Sequence, residues 1–193
     1  MRNTPTVVAV CGSLRDESHT RKTLRHVLAA AEDVGAETRL LDLQEWDLPL
    51  FDPNYDEQGD SEEITRITRE ADAVVLGSPV YHGSYSSALK NYMDYCGFDE
   101  FEDTTVGLVA IAGGGTFGPT LEHMRAVCRG VHAWVLPRQV GVRNAYDAFE
   151  DDGEFKDENI AERVETLGRE IVEYATIAPE KLPAQDQSAC ADD

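Results

Sequence analysis

The sequence contains no apolar run long enough to cross a membrane. Its runs VVAV, VVLG and VGLVAIA have the length of buried β-strands, whereas a membrane-spanning helix needs about 20 apolar residues. The pattern of a signal peptide is missing too, because residues 1–6 are polar and only a strand-length apolar run follows. We therefore expect a cytoplasmic protein without membrane insertion.

Cysteine and histidine motifs for metal binding or redox chemistry are also missing. The four cysteines form no CxxC pair, and the five histidines show no HxxxH or HxH spacing. The aspartates between residues 47 and 60 lack the glycine and terminal glutamate of an EF-hand, which favours a solvated acidic loop. We expect no metal site, and we expect reduced, structural cysteines at Cys11, Cys96, Cys128 and Cys190.

Positive charge is scarce. The chain has 37 acidic and 17 basic residues, and only four of the basic residues are lysines. The net charge of −20 argues against nucleic acid as a partner, since phosphate binding requires basic patches. Such a charge keeps a protein soluble but makes it repel itself, and salt screens this repulsion. We expect a halophilic protein from a high-salt cytoplasm, with an ordinary acidic protein as the alternative.

The order of the apolar segments predicts an α/β fold. Strand-like segments alternate with segments of helical period, which is typical of βαβ units around a parallel sheet. Five strands in this alternation fit the flavodoxin-like, doubly wound order 2-1-3-4-5 with helices on both faces. The predicted strands are 6–11, 38–42, 72–78, 104–112 and 132–136, and the predicted helices are 18–34, 61–70, 86–95, 119–130 and 158–176.

Two segments are predicted to be irregular. Residues 44–60 are rich in Pro, Asp and Asn, so we expect a long connection able to cover a ligand or a partner subunit. Residues 179–193 are polar, and we expect a disordered tail. The length of 193 residues fits one domain, which we place at residues 1–178.

The loop after the first strand has the groups that a phosphate requires. In the doubly wound order, ligands bind beyond the carboxyl ends of the strands. Here the hydroxyl groups of Ser13, Ser18 and Thr20, the Arg15 guanidinium and the amides of a helix N-terminus come together. The Walker pattern GxxxxGK[ST] is absent. The alternative makes Ser18 a helix N-cap, Gly12 a turn residue and Arg15 simply exposed.

The loops after the third and fourth strands suit a flat heteroaromatic ring. Pro79 stiffens the backbone, Tyr81 offers a ring face and His82 offers a hydrogen bond. The run from Gly113 to Gly115 lets the backbone approach a ligand closely. The alternatives are a tight turn with a core tyrosine and a flexible glycine loop without a ligand. Together with the phosphate loop, the two loops predict a mononucleotide site.

These residues resemble the NADPH-dependent FMN reductase family, a flavodoxin-like group that includes quinone, chromate and azo-dye reductases. The family's GSxRxxS loop appears at residues 12–18, and its turn TPEYNGS appears as SPVYHGS at residues 78–84. Its LKNxxD helix appears at residues 89–94. The similarity extends over about residues 6–175.

The resemblance implies a cofactor, a reaction and an assembly. It implies that a hydride passes from NADPH or NADH through bound FMN to a quinone, a flavin or a similar small-molecule acceptor. It implies a homodimer or homotetramer whose flavin site lies near a subunit contact at helix 86–95. The residues implied to bind FMN are Ser13, Arg15, Ser18, Thr20, Pro79, Val80, Tyr81, His82, Gly113 and Gly114.

Three positions depart from the family. Val80 and His82 replace the usual glutamate and asparagine of the turn, and Thr20 replaces an asparagine of the phosphate loop. We expect FMN binding to survive these changes, whereas the nicotinamide and acceptor preferences stay open. His82 is predicted to be catalytic: with the amides of Gly113–Gly115 it would stabilise negative charge at the N1/C2 carbonyl edge of the flavin.

Two other functions stay open at the level of sequence. A flavodoxin-type FMN electron carrier would take electrons from a protein partner, which the acidic surface would suit. A dinucleotide-binding enzyme is suggested by residues 113–118, which formally match GxGxxG between a strand and a helix. That motif, however, follows the fourth predicted strand instead of the first.

Overall fold

A five-stranded parallel sheet forms the centre of the protein in the computed structural model, which describes residues 4–175. Its strand order is β2-β1-β3-β4-β5, so the prediction of a flavodoxin-like, doubly wound fold is confirmed. The strands are β1 Thr6–Cys11, β2 Glu37–Asp42, β3 Ala73–Pro79, β4 Thr105–Ile111 and β5 Trp134–Val142. The helices are α1 His19–Glu32, α2 Ser61–Arg69, α3 Ser87–Tyr95, α4 Phe98–Phe101, α5 Gly118–Gly130 and α6 Glu158–Ala175, and a 3-10 turn spans Ala145–Asp147.

The largest error of the sequence prediction concerns β5. We placed its end at residue 136, but the strand continues to Val142 beyond Pro137. Proline cannot donate a hydrogen bond and is confined to edge strands, and β5 is the edge of this sheet. Its pairing with β4 shifts register between Val106 and Leu108 and then continues to Ile111 and Val142. Consequently the carboxyl end of β5 lies level with the carboxyl end of the neighbouring strand β4. The short helix α4 was also missed.

The two faces of the sheet bury two separate apolar clusters. Along β1, Val7 and Ala9 belong to one cluster and Val8 and Val10 to the other, as the alternation of side chains in a strand requires. The first cluster packs against α1 and α6, and the second packs against α2, α3 and α5. None of the described helices is long and apolar enough to cross a membrane.

The connection predicted to be irregular lacks regular structure over residues 45–60 and is attached to α3. The Asn91 side-chain amide donates to the carbonyl oxygen of Pro49 (2.8 Å), while its oxygen accepts from the amide of Phe51 (2.9 Å). The Tyr95 hydroxyl donates to the same Pro49 oxygen. The asparagine of the LKN segment therefore holds this connection in place. The tail predicted at residues 179–193 lies outside the described residues.

Three cysteine thiols are enclosed in the core and form no disulfide. Burial raises the pKa of Cys11 to about 11 and that of Cys128 to about 12, and it also raises the pKa of Cys96. A thiol with such a pKa stays protonated and unreactive at neutral pH. These three positions therefore have the structural role that we expected, whereas Cys190 lies outside the described residues.

The contact between α1 and α6 gives a test of the fold. A Cβ atom on Gly168 of α6 would lie 2.8 Å from Cβ of Ala30 and closer still to the carbonyl oxygen of Val27, both in α1. Gly168→Ala should therefore lower the free energy of unfolding by about 2 kcal/mol, because the helices must separate. Denaturant unfolding at high salt measures this effect.

The matched control is Gly130→Ala, at the end of α5. A Cβ atom there meets nothing within 4 Å. Alanine has the higher helix propensity, so this variant should be unchanged or up to about 1 kcal/mol more stable. Equal stability of the two variants would contradict the close approach of α1 and α6.

Candidate functional site

A cavity of about 310 Å³ lies beyond the carboxyl ends of β1, β3 and β4. Eight of the ten residues predicted to bind FMN line it, the exceptions being Ser18 and His82. The structure thus brings together three loops that are far apart in the chain. The lining residues are Ser13, Arg15, His19, Thr20, Pro79, Val80, Tyr81, Ile111, Gly113, Gly114, Ala145 and Tyr146.

The N-terminus of α1 forms one end of the cavity. Ser18 is the N-cap, and its Oγ accepts a hydrogen bond from the amide of Arg21 (3.1 Å). This confirms the alternative interpretation of Ser18 as a cap, while its contact with a phosphate stays a prediction. Among residues 4–175, the amides of His19 and Thr20 have no backbone acceptor. These amides and the helix dipole give this end a positive potential.

Hydrogen bonds fix the loop after β1 to its neighbours. The amide of Gly12 donates to the carbonyl oxygen of Gly77 in β3 (2.8 Å), and its own carbonyl oxygen accepts from the Ser86 hydroxyl group (2.6 Å). A Cβ atom on Gly12 would lie 2.8 Å from Cβ of Leu89 in α3. Glycine is therefore required here for close packing, which the alternative of a simple turn residue did not include.

An arginine of α1 joins the loop after β1 to the end of β2. The Arg21 guanidinium forms an ion pair with the buried Asp42. It also donates to the carbonyl oxygen of Asp16 (2.7 Å) and to Oε1 of Gln44 (2.6 Å), and the Gln44 amide donates in turn to the Asp16 carboxylate (2.6 Å). Arg21 is thus engaged away from the cavity and holds the outer side of the phosphate loop.

The backbone conformation of the turn after β3 accounts for the presence of histidine at position 82. The amides and carbonyl groups of Tyr81 and Ser84 exchange hydrogen bonds of 2.9 and 3.0 Å, with His82 and Gly83 between them. Both central residues have positive φ, 52° and 79°, as a type I′ turn requires. Histidine, like asparagine and aspartate, is enriched in this conformation. The His82 side chain is exposed and does not line the cavity, so its predicted catalytic role has no contact to support it.

The glycine loop after β4 forms another wall of the cavity. Gly113, Gly114 and Gly115 are exposed, and their amides donate no hydrogen bond among the residues that the structure describes. A Cβ atom would meet nothing within 4 Å at Gly114 or Gly115, but at Gly113 it would lie 2.7 Å from Cε2 of Tyr146. The loop therefore offers free backbone donors beside open space.

Three aromatic residues at the cavity were missed in the sequence: His19 and Tyr146, which line it, and Phe149, which packs against His19. His19 stacks on Phe149, with ring centroids 5.4 Å apart, and meets the edge of Tyr146 at 5.7 Å. Tyr146 and Phe149 follow β5, and no motif marks them. The only signal for His19 was its position inside the phosphate loop.

Arg15 lies across the mouth of the cavity. Its Nη1 donates to the Tyr146 hydroxyl group (3.4 Å), and its guanidinium lies 6.0 Å from the centre of that ring. The hydroxyl groups of Tyr81 and Tyr146 beside it raise the pKa of Arg15, so the group is a permanent cation. It is positioned for an anionic ligand.

The match to a known family decides the identity of the chain. Residues 5–147 match the family described as NADPH-dependent FMN reductase. The chain belongs to this family. It is accordingly an oxidoreductase that uses FMN and NAD(P)H. The alternative of a dinucleotide bound at residues 113–118 is not supported, since the motif follows β4 and the strand order differs from 3-2-1-4-5-6.

Individual relatives agree with this assignment. The chain is 29% identical over 178 residues to an FMN-dependent NADPH-azoreductase of Staphylococcus aureus, a match that covers 88% of this chain and 95% of the relative.

Solved structures share the fold at lower identity. The flavoenzyme NAD(P)H:acceptor oxidoreductase FerB of Paracoccus denitrificans superposes with a TM-score of 0.77 at 20% identity, covering 89% of this chain and 97% of FerB. The apo form of the NADH:FMN oxidoreductase EmoB gives 0.73 at 19% identity, covering 91% and 92%.

The residues of the cavity fit FMN. Unpaired amides, hydroxyl groups and Arg15 at one end suit a phosphate group. At Gly114 no side chain separates the backbone from open space, which suits the edge of a flat ring. In addition, Nδ1 of His19 is enclosed and has no hydrogen-bond partner among the described residues, as expected of a site made for a ligand. Within residues 4–175, no His, Cys, Asp and Glu side chains gather as metal ligands would.

A second depression, of about 410 Å³, lies between the connection after β2 and α3. Its lining includes Leu14, Leu50 and Ala88, and Leu14 and Leu50 are largely exposed. This is the side of the molecule where the family resemblance places the subunit contact. The homodimer itself stays a prediction.

The two interpretations of His82 are separated by a pair of variants. Because asparagine adopts positive φ readily, His82→Asn should keep the stability, the FMN affinity and the turnover of the wild type. His82→Ala should lose about 1 kcal/mol of unfolding free energy and some FMN affinity, because alanine resists this conformation. Denaturant unfolding, FMN titration and steady-state kinetics measure these effects. Equal loss of turnover in both variants would instead assign a chemical role to the imidazole.

Proposed function

We propose that the protein oxidises NAD(P)H and reduces a small, flat acceptor such as a quinone or a free flavin, with both molecules using the same open side of the FMN site. The proposal depends most on one observation. The cavity has unpaired donors on two separate loops, at the N-terminus of α1 and at Gly113–Gly115, but no bulky side chain covers Gly114 or Gly115.

The first part of the argument concerns binding. The N-terminus of α1 and Thr20 hold the phosphate group at one end of the cavity, and Arg15, on the same loop, adds a positive charge at the mouth. Pro79 and Val80 hold the ring from the side of β3, where the amide of Val80 is fixed by a hydrogen bond to the carbonyl oxygen of Ile111 (2.8 Å). The protein therefore binds FMN through rigid strand ends.

The second part concerns the chemistry. FMN, when bound, supplies the two-electron chemistry that accepts a hydride from a nicotinamide and returns it to an acceptor. The free amides of Gly113–Gly115 are available to stabilise negative charge at the edge of the ring. These amides stabilise the charge without giving up their protons, so the proton that a quinone takes up together with the hydride comes from solvent at the open side of the cavity.

The third part concerns access. Tyr81 and Tyr146 stand at the mouth of the cavity with 44% and 68% of their surface exposed. Their rings offer flat surfaces for a nicotinamide or for an aromatic acceptor. A single open side means that the oxidised nicotinamide leaves before the acceptor binds. This order predicts ping-pong kinetics.

Spectroscopy and kinetics test this function. We expect protein purified in molar salt and supplied with FMN to show the bands of a bound flavin. NADPH or NADH should bleach these bands, and a quinone should restore them over many turnovers. Initial rates at several quinone concentrations should give parallel double-reciprocal lines. Oxidation of a single equivalent of NADPH, without turnover on any small acceptor, would instead indicate an electron carrier with a protein partner.

The close approach of FMN to the glycine loop gives a separate prediction. In Gly114→Ala, the added methyl group points into open space, so the unfolding free energy should change by no more than about 0.5 kcal/mol. FMN affinity should nevertheless fall about tenfold, or about 1.4 kcal/mol, because the methyl group occupies the place of the ring edge. Flavin fluorescence quenching measures the dissociation constant.

Gly130→Ala, at the far end of α5, is again the control. It should leave FMN affinity unchanged and should not lower the stability. Wild-type affinity in Gly114→Ala would place the ring away from this loop.

A further inference from the structure

His19 lines the cavity, but the family motif assigns no role to its imidazole group. It is the first residue of α1 and lines the cavity beside Ser13 and Thr20. The ring is fixed between Phe149 and Tyr146. Its Nδ1 is enclosed without a hydrogen-bond partner among the described residues. An aromatic contact alone would be served equally well by phenylalanine. Because Nδ1 is enclosed, Nε2, which also has no hydrogen-bond partner among the described residues, is the ring nitrogen open to a polar ligand.

The neighbours of His19 indicate which part of the ligand it meets. The amides of His19 and Thr20 have no backbone acceptor in the described part of the chain, and the Arg15 guanidinium lies on the same loop. This is the end of the cavity where a phosphate group is expected. We propose that His19 binds the phosphate group of FMN as an imidazolium ion, so that FMN binding takes up a proton from solution. The inference rests on FMN binding in this cavity.

The charges around the ring determine its protonation before FMN binds. The charged and titratable groups that face it are Arg15 and Glu17 of the loop, Lys22 of α1 and the Tyr146 phenol. Burial, followed by the positive charges of Lys22 and Arg15, lowers the pKa of His19 below its ordinary value of 6.5, and Glu17 opposes this only in part. At neutral pH the free protein therefore has a neutral imidazole.

A bound phosphate group reverses this balance. Its negative charge and its acceptor oxygens favour the charged imidazolium, so the pKa of His19 is higher in the complex than in the free protein. Between the two pKa values, binding takes up a proton. The contribution of His19 to FMN affinity is therefore largest at low pH and is lost as the pH rises through the pKa of the complex.

The first experiment measures FMN dissociation constants by flavin fluorescence quenching from pH 6 to pH 8.5 in phosphate-free 1 M KCl. At this salt concentration the Debye length is about 3 Å, so surface charges are screened and close contacts dominate. Two variants serve for comparison: His19→Phe keeps an aromatic ring on Phe149, and His19→Gln keeps a neutral donor. Free FMN, whose phosphate has a second pKa of about 6, is the same reference in all three titrations.

We expect the ratio of wild-type to variant affinity to fall about tenfold across this range, which requires the pKa of His19 in the complex to lie more than about one unit above its pKa in the free protein. Riboflavin, which lacks the phosphate group, should give a ratio that does not change with pH. The inference is wrong if riboflavin shows the same fall, or if the wild type and both variants have the same FMN profile.

Calorimetry counts the proton directly. At pH 7, the FMN binding enthalpy of the wild type should depend on the ionisation enthalpy of the buffer and indicate net proton uptake relative to both variants. Equal proton numbers in all three proteins would overturn the inference but leave the FMN site intact. A wild-type protein that binds neither FMN nor riboflavin would remove the proposed FMN site itself, and the inference with it.

Discussion

The geometry of the cavity depends most on the hydrogen bonds of the Ser86 hydroxyl group. This hydroxyl group accepts from the amide of Leu89 as the N-cap of α3 and donates to the carbonyl oxygen of Gly12. The amide of Ser86 in turn donates to the Ser78 hydroxyl group at the end of β3 (2.8 Å). A single buried residue thus joins the loop after β1, the end of β3 and the start of α3. Because every member of this network has a partner, its position inside the protein is well defined.

The surroundings of the cavity are locally positive although the protein is strongly acidic. The net charge of −20 is distributed over the surface, whereas the cavity is bounded by the N-terminus of α1 and by Arg15. The buried carboxylate at the end of β2, Asp42, is paired with Arg21. The local potential is therefore set by dipoles and cations within a few ångströms, and salt screens the distant negative charge far more than these contacts.

The sequence was sufficient to predict the sheet order and the places of the three ligand loops, since both follow from the alternation of apolar segments and from local loop chemistry. It was not sufficient for the segment after β5. Tyr146 reaches the cavity because β5 continues past Pro137, and its partner Arg15 is 131 residues away in the chain. Contacts at such separation leave no periodic signal. His19 was overlooked for the same reason, because its ring contacts come from this distant segment.

The predictions for Ser18 and His82 show a second reason why sequence motifs alone do not define the ligand-binding side chains. Both residues stand in motifs that point to a ligand, but each has a backbone function that accounts for its presence: Ser18 caps α1, and His82 supplies a residue with positive φ to a tight turn. A sequence motif contains residues that a loop needs for its shape as well as residues that it needs for its ligand. Ser18 and His82 do not line the cavity, and the groups that it offers to a ligand include backbone amides, Arg15, Thr20 and His19. The division matters for comparing members of the family, because a change at position 82 alters the turn, whereas a change at position 19 alters a ring that lines the cavity.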